Sequence, residues 1–245
     1  MSLRCFLRLL APAAGACLLL LAGAAHADVA AGRAALQKGQ WSDAESAFKS
    51  APATEKGPAL LGLGELYLTT GRYKEAVEQA TQAGALAATK TRGLCLAGEA
   101  LRETGKSAEA IKMFRAALAA APKDPRARIY LGLTLQETGQ TAEAEKLFNG
   151  FFQEFNQAGA AVEKWPAERL AYTAMAARAL RSWQDANDTF QSAVEKDPSF
   201  LQANLEWGDL FLLKYRADEA AKSYAEVLKV NRNLPRALVG MGRAR

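Results

Sequence analysis

The chain has 245 residues, half of them hydrophobic and 8% aromatic, and carries a formal charge of +5. That bounds it to one or two globular domains or a single repeat array. One histidine, His26, and three cysteines, Cys5, Cys17 and Cys95, leave little material for imidazole bases, catalytic thiols or the commonest metal ligands.

Residues 1–27 read as a secretory signal peptide: Arg4 and Arg8, then an apolar stretch centred on residues 16–21, then Ala25-His26-Ala27 as a small-x-small cleavage site. An uncleaved anchor is the alternative, and the apolar run is shorter than the ~20 residues a span needs. Lipidation at Cys17 is disfavoured, because Ala14-Gly15-Ala16 lacks the usual leucine before that cysteine. Cleavage takes away two arginines and no acid, so the charge falls from +5 to +3, and it removes the only histidine. The mature chain keeps Cys95 alone, which rules out an intramolecular disulfide, and it is expected to hold no integral membrane span. Lysine and arginine alternate with glutamate and aspartate along it, which describes a solvated exterior of mixed sign and no nucleic-acid surface.

After the leader the chain repeats. The first unit, residues 30–56, places Gly39 at a turn and Trp41, Ala44, Phe48 and Ala51 on a second helix. The second, residues 58–88, has Gly71 and Tyr73 at the turn but Ala80 where other units have an aromatic, so thin packing is expected, with a loose exit at Gly84. The third, residues 91–124, is the clearest: Ala97 and Gly98 face Ala110, Gly105 suits a left-handed turn, Pro122 stops the second helix, and Leu101, Ile111, Phe114 and Ala117 form an apolar stripe at helical spacing. The fourth begins at Pro125 and is lengthened after Phe148 by Phe151, Phe152 and Phe155, with residues 157–166 connecting to the fifth. These aromatics and Trp165 are expected to cover a bend, as core filler or as a docking site. In units five and six Arg181 and Tyr215 stand where four earlier units have glycine, and remodelled turns are expected there, since a left-handed non-glycine residue costs ~1 kcal/mol. Pro235 opens the first helix of a seventh unit; continuation of the natural polypeptide past Arg245 is expected.

Gly64, Gly98, Gly132, Gly208 and Gly242 fall at like points, with Gly32 before them and Ala174 in the fifth unit, at steps of 32, 34, 34, 42, 34 and 34 residues. Ala44, Ala76, Ala110, Ala144, Ala186 and Ala220 recur on the second helices, each followed four residues on by Phe48, Ala80, Phe114, Phe148, Phe190 or Tyr224. With Leu63-Gly64-x-x-Tyr67, Pro122 and Pro198, this pattern resembles the tetratricopeptide repeat family. The resemblance implies an all-α fold, a right-handed α-solenoid of antiparallel helix hairpins. Repeats 1–4 would occupy residues 28–156, and residues 167–245 would hold repeats 5 and 6 with the first helix of a seventh.

The resemblance also implies a concave face lined by first helices and suited to a protein or peptide segment. Stacked in that way, Val29, Leu61, Cys95, Ile129, Ala171, Leu205 and Val239 recur at one place facing the groove, and Arg33, Glu65, Glu99, Leu133, Met175, Asp209 and Arg243 lie four residues on. The expected groove is therefore Leu61, Arg92, Cys95, Glu99, Arg126, Ile129, Leu133, Met175, Leu205 and Asp209. The alternative for its apolar stripe is packing between adjacent first helices. The lysine and asparagine of a carboxylate clamp are absent from these places. Gly62-Leu63-Gly64 and Gly240-Met241-Gly242 fit packing glycines better than nucleotide loops, and no catalytic, metal or cofactor constellation is expected. The reading is a non-catalytic interaction scaffold or assembly adaptor in the bacterial envelope. Its competitor is the leading scaffold of a longer periplasmic enzyme with a catalytic domain beyond residue 245.

Overall fold

The computed structural model describes residues 29–245, so the expected signal segment lies outside the described residues. The described residues form helices and connecting turns, with no strand among them. Six hairpins follow one another: α1 (Val29–Gln37) with α2 (Trp41–Lys49), α3 (Lys56–Thr69) with α4 (Tyr73–Gly84), α5 (Lys90–Glu103) with α6 (Ser107–Ala120), α7 (Pro125–Glu137) with α8 (Thr141–Ala158), α9 (Ala167–Ala179) with α10 (Trp183–Lys196), and α11 (Leu201–Leu213) with α12 (Ala217–Val230). A last helix, α13 (Pro235–Arg243), stacks on the sixth hairpin as a seventh first helix. The whole is a right-handed α-solenoid.

Four of the six hairpins are held by a ring laid on bare backbone. A Cβ added to Gly98 would stand 2.6 Å from the Phe114 ring, and one added to Gly132 would stand 2.5 Å from that of Phe148. Phe48 and Tyr224 serve two units each, Phe48 resting on Gly32 and Gly62 and Tyr224 on Gly208 and Gly240. The glycines of the two Gly-x-Gly runs therefore act in packing, except Gly242, which faces open space. Only a missing side chain lets a ring reach the neighbouring helix axis, so glycine is retained despite its low helix propensity.

The second repeat solves the same problem differently, and its exit is not loose. With Ala80 in place of a ring, Leu96 of the next unit fills the space against Gly64, and the backbones of α4 and α5 close up so far that a Cβ on Gly93 would lie 2.3 Å from Gly84 N. The Thr89 hydroxyl donates to Ala83 O at 2.7 Å and seals the connection. Small residues have replaced a ring with direct helix contact.

The long step after Phe148 is an extended α8 followed by a 3-10 turn, Gly159–Lys164. Phe151 and Trp165 are buried, and Phe155 meets Trp165 edge-on with ring centroids 5.9 Å apart. Arg169 lies over the Trp165 ring and pairs with Glu154. The aromatic cluster is thus core under the connection.

Gly39, Gly71, Gly105 and Gly139 close four hairpin turns with positive φ. Arg181 and Tyr215 do the same, at φ 61° and 56°, and the turns are not remodelled. Arg181 N donates to Arg178 O and Ser182 N to Ala177 O, just as Gly105 N donates to Arg102 O and Lys106 N to Leu101 O. Packing on both sides imposes the turn, and the strain stays in it. Arg181→Gly or Tyr215→Gly is therefore expected to raise stability by about 1 kcal/mol in denaturant unfolding; an unchanged midpoint would mean that the left-handed conformation is free of strain.

The two ends of the array meet. Asn231, buried after α12, donates from Nδ2 to Leu36 O at 3.4 Å, and Asn233 Nδ2 donates to Gly39 O at 3.2 Å. Gln37 Nε2 reaches Ser199 O, and Trp41 packs against both the first and the last core clusters. Gly39 is pressed onto this junction, where an added Cβ would stand 2.2 Å from Asn231 Oδ1, whereas Gly71 has nothing within 4 Å. Gly39→Ala should accordingly lose more stability than Gly71→Ala, by about 1 kcal/mol or more in paired urea titrations; equal losses would mean that the ends are not joined in solution.

Candidate functional site

The inner face is built from first helices, and most of its expected groove stripe is covered. Leu61, Cys95, Met175 and Leu205 are buried, and Ile129 is 0% exposed. Each lies where one first helix meets the next. Val239, which has no following helix among the described residues, is 63% exposed. The stripe packs first helix against first helix. Burial, then the Asp124 carboxylate, raises the Cys95 thiol far above its ordinary value, and its Sγ lies 3.8 Å from Asp124 Oδ1, the carboxylate oxygen that caps α7 at Ala127 N.

The flanking charges form a ladder. Arg92 donates to Glu65 at 3.1 Å, Arg126 grips Glu99 with two hydrogen bonds at 2.6 and 3.1 Å, and Arg236 pairs with Asp209, in every case across 27 residues. An arginine early in one first helix thus reaches an acid late in the preceding one. This spacing was available in the sequence, since Arg92, Glu99, Arg126 and Asp209 were singled out there, but only stacking shows that they pair. At Leu133 and Met175 the ladder is interrupted, and Gln202 instead donates to the Tyr130 hydroxyl at 2.7 Å, spanning 72 residues and bypassing repeat five. Tyr130 stacks on Phe114 and meets Tyr172 edge-on. The trough from repeat three to repeat six is therefore filled by the protein's own side chains.

Glu206 is the deepest charge, with its side chain 4% exposed, and it was not singled out by the sequence pattern. Arg178 donates to its Oε2 at 2.6 Å and Arg236 to its Oε1 at 2.8 Å. Burial by itself would raise the carboxyl, but Arg236 and Arg178 outweigh it and hold Glu206 at about 2. Because the folded value lies below the ordinary carboxylate value of about 4.3, this stabilisation is present above that pH and is lost as pH falls towards 2. Glu206→Gln is expected to cost about 3 kcal/mol near neutral pH, by removing the buried charge that both Arg178 and Arg236 pair with, and to flatten the acid limb of stability between about pH 5 and about pH 2. Urea unfolding across that range measures both, and an acid limb as steep as the wild type's would refute the assignment.

A cleft of about 740 Å³ opens at the turn ends of repeats four to seven. Leu133 and Asp209, both expected on the groove, line it with Arg181, Trp183, Leu213 and Tyr215. Leu213 is 55% exposed and Tyr215 95% exposed. The turn residues were noticed in the sequence as departures from glycine; their convergence on one cleft has no linear signal. Among the described residues no group of three or more His, Cys, Asp or Glu side chains is placed to hold a metal ion, and no helix is long and apolar enough to cross a membrane.

Stacked antiparallel hairpins with a glycine-and-ring contact define an α-helical repeat protein. The sequence profile of the tetratricopeptide repeat matches residues 29–89, 95–159 and 173–237, and the chain belongs to that family. Among solved structures it is similar to the APC/C hetero-tetramer Cut9–Hcn1, with 20% identity, a TM-score of 0.51, and 88% of this chain and 42% of that one covered. This chain thus spans less than half the length of that neighbour. It also matches the pilF protein of Pseudomonas aeruginosa, at 17% identity and a TM-score of 0.48 over 87% of this chain and 95% of that one. A tetratricopeptide repeat protein from Parabacteroides merdae ATCC 43184 matches at 14% identity and a TM-score of 0.46, with 88% and 96% covered. No curated protein matches the chain significantly. The family and fold assign a protein–protein interaction scaffold.

Proposed function

We propose that this protein is an exported, non-catalytic adaptor of the bacterial envelope that docks a segment of a partner protein in the cleft at the turn ends of repeats four to seven. The observation that carries this reading is the cleft itself. It is a concavity at the ends of the first helices in which large apolar side chains, Leu213 and Tyr215, stand open beside charge. Exposed apolar groups gathered in a concavity are the usual mark of a docking site. The leader at residues 1–27 supports export, and the family supports a protein or peptide ligand over nucleic acid.

A photocrosslinking residue, p-benzoylphenylalanine, at position 213 is expected to trap a discrete partner in envelope extracts, while the same probe at position 123, on the far side of repeat three, traps none. Equal labelling from both positions, or no adduct from 213, would defeat the docking reading.

A further inference from the structure

Four cations line the cleft, Arg178, Arg181, Lys214 and Arg243, against one acid, Asp209. Arg178 is committed to Glu206, and Asp209 to Arg236 and the Tyr224 hydroxyl. Lys214 lies 4.9 Å from the Trp183 ring centroid. Among the described residues neither Arg181 nor Arg243 has a carboxylate within ion-pair distance. The charge alone is an ordinary feature, because all four cations stand at or just beyond the C-terminal ends of first helices, where the helix dipole favours them.

The strain is not explained in that way. Six hairpins carry left-handed turns; four use glycine, and the two that do not, at Arg181 and Tyr215, are the two that line the cleft. Packing of the flanking helices holds the turn, but the Tyr215 side chain, 95% exposed, gains no packing of its own from standing there. Strain that persists without a packing gain marks a side chain with another task.

We infer that Arg181 and Tyr215 are recognition residues and that the cleft takes an acidic, apolar segment of the partner protein, its carboxylate on the Arg181 and Arg243 guanidiniums and a leucine or phenylalanine on Leu213 and Tyr215. This rests on the docking reading above and names the chemistry of its ligand. The unpaired guanidiniums call for carboxylate, the bidentate partner they fit best, and the exposed leucine and tyrosine call for an apolar neighbour. The recessed form suits a chain segment better than a flat bilayer surface.

Short fluorescein-labelled peptides alternating aspartate with leucine and phenylalanine, their lysine-for-aspartate counterparts, and phosphatidylglycerol vesicles provide the test, by anisotropy and by flotation with the purified protein. The acidic peptide is expected to bind and the lysine peptide not. The double variant Arg181→Gly/Tyr215→Gly is expected to weaken that binding about tenfold while its thermal midpoint rises. A residue with a merely structural role would not lose affinity as the fold gains stability. Equal affinity for both peptides, no affinity for the acidic one, unchanged binding by the double variant, or capture of vesicles without peptides would overturn the inference. The two readings separate cleanly: a crosslinked partner at position 213 that the double variant still captures leaves the docking reading standing and removes the acidic segment.

Discussion

The structure depends on one contact, an aromatic ring resting where a side chain is missing. Phe114 on Gly98 and Phe148 on Gly132 hold single hairpins, while Phe48 and Tyr224 each span two glycines in adjoining units. In those two cases the same ring closes the hairpin and stacks it on the next. A buried ring contributes about 2–3 kcal/mol, against the about 1 kcal/mol that glycine costs a helix, so the exchange favours the stack. Where the ring is absent, at Ala80, the backbones themselves come together and Leu96 takes up the remaining space. The constraint is satisfied by volume matching, and either partner can supply the volume.

Stacking then brings charges into register. Because successive first helices are offset by a fixed amount, an arginine near the start of one meets an acid near the end of its predecessor, as in Arg126 with Glu99 and Arg92 with Glu65. Glu99 and Glu206 are buried, and such charges need full pairing to be tolerated. Pairing of this kind specifies which face of a first helix turns inward. Together with Tyr130 and Gln202 it fills the trough, and the junction of Asn231 and Asn233 with the first hairpin turn joins the ends. An array that would otherwise remain an open spiral is thereby closed.

Closure moves the open surface outward, to the ends of the first helices. There the turns of repeats five and six keep arginine and tyrosine in a conformation that suits glycine, and the side chains so presented stand in solvent beside Leu213. Stability and surface chemistry pull in opposite directions at these two positions. Elsewhere in the array, where the turn has no chemistry to offer, glycine relieves the strain.

The hairpin and its repetition were determined by the sequence alone. Glycine, alanine and ring recur at a nearly constant step, proline and glycine punctuate the helices, and each of these signals acts over a few residues, so the linear pattern contains it. The same locality misled at two points. Arg181 and Tyr215 looked incompatible with the common turn, yet packing on both flanks enforces it; and the stripe of Leu61, Cys95, Ile129 and Leu205, apolar at one face, proved to be the seam between first helices. Leu133 and Asp209 reach the cleft as parts of the expected groove, but Leu213, Tyr215 and Arg243 join them only because four first helices end side by side. The joined ends, the filled trough and the cleft were decided by tertiary structure, through contacts such as Asn231 with Leu36 across 195 residues. Non-periodic contacts of that reach have no expression in a repeat: they arise from the small rotation added at every unit, which no single unit encodes.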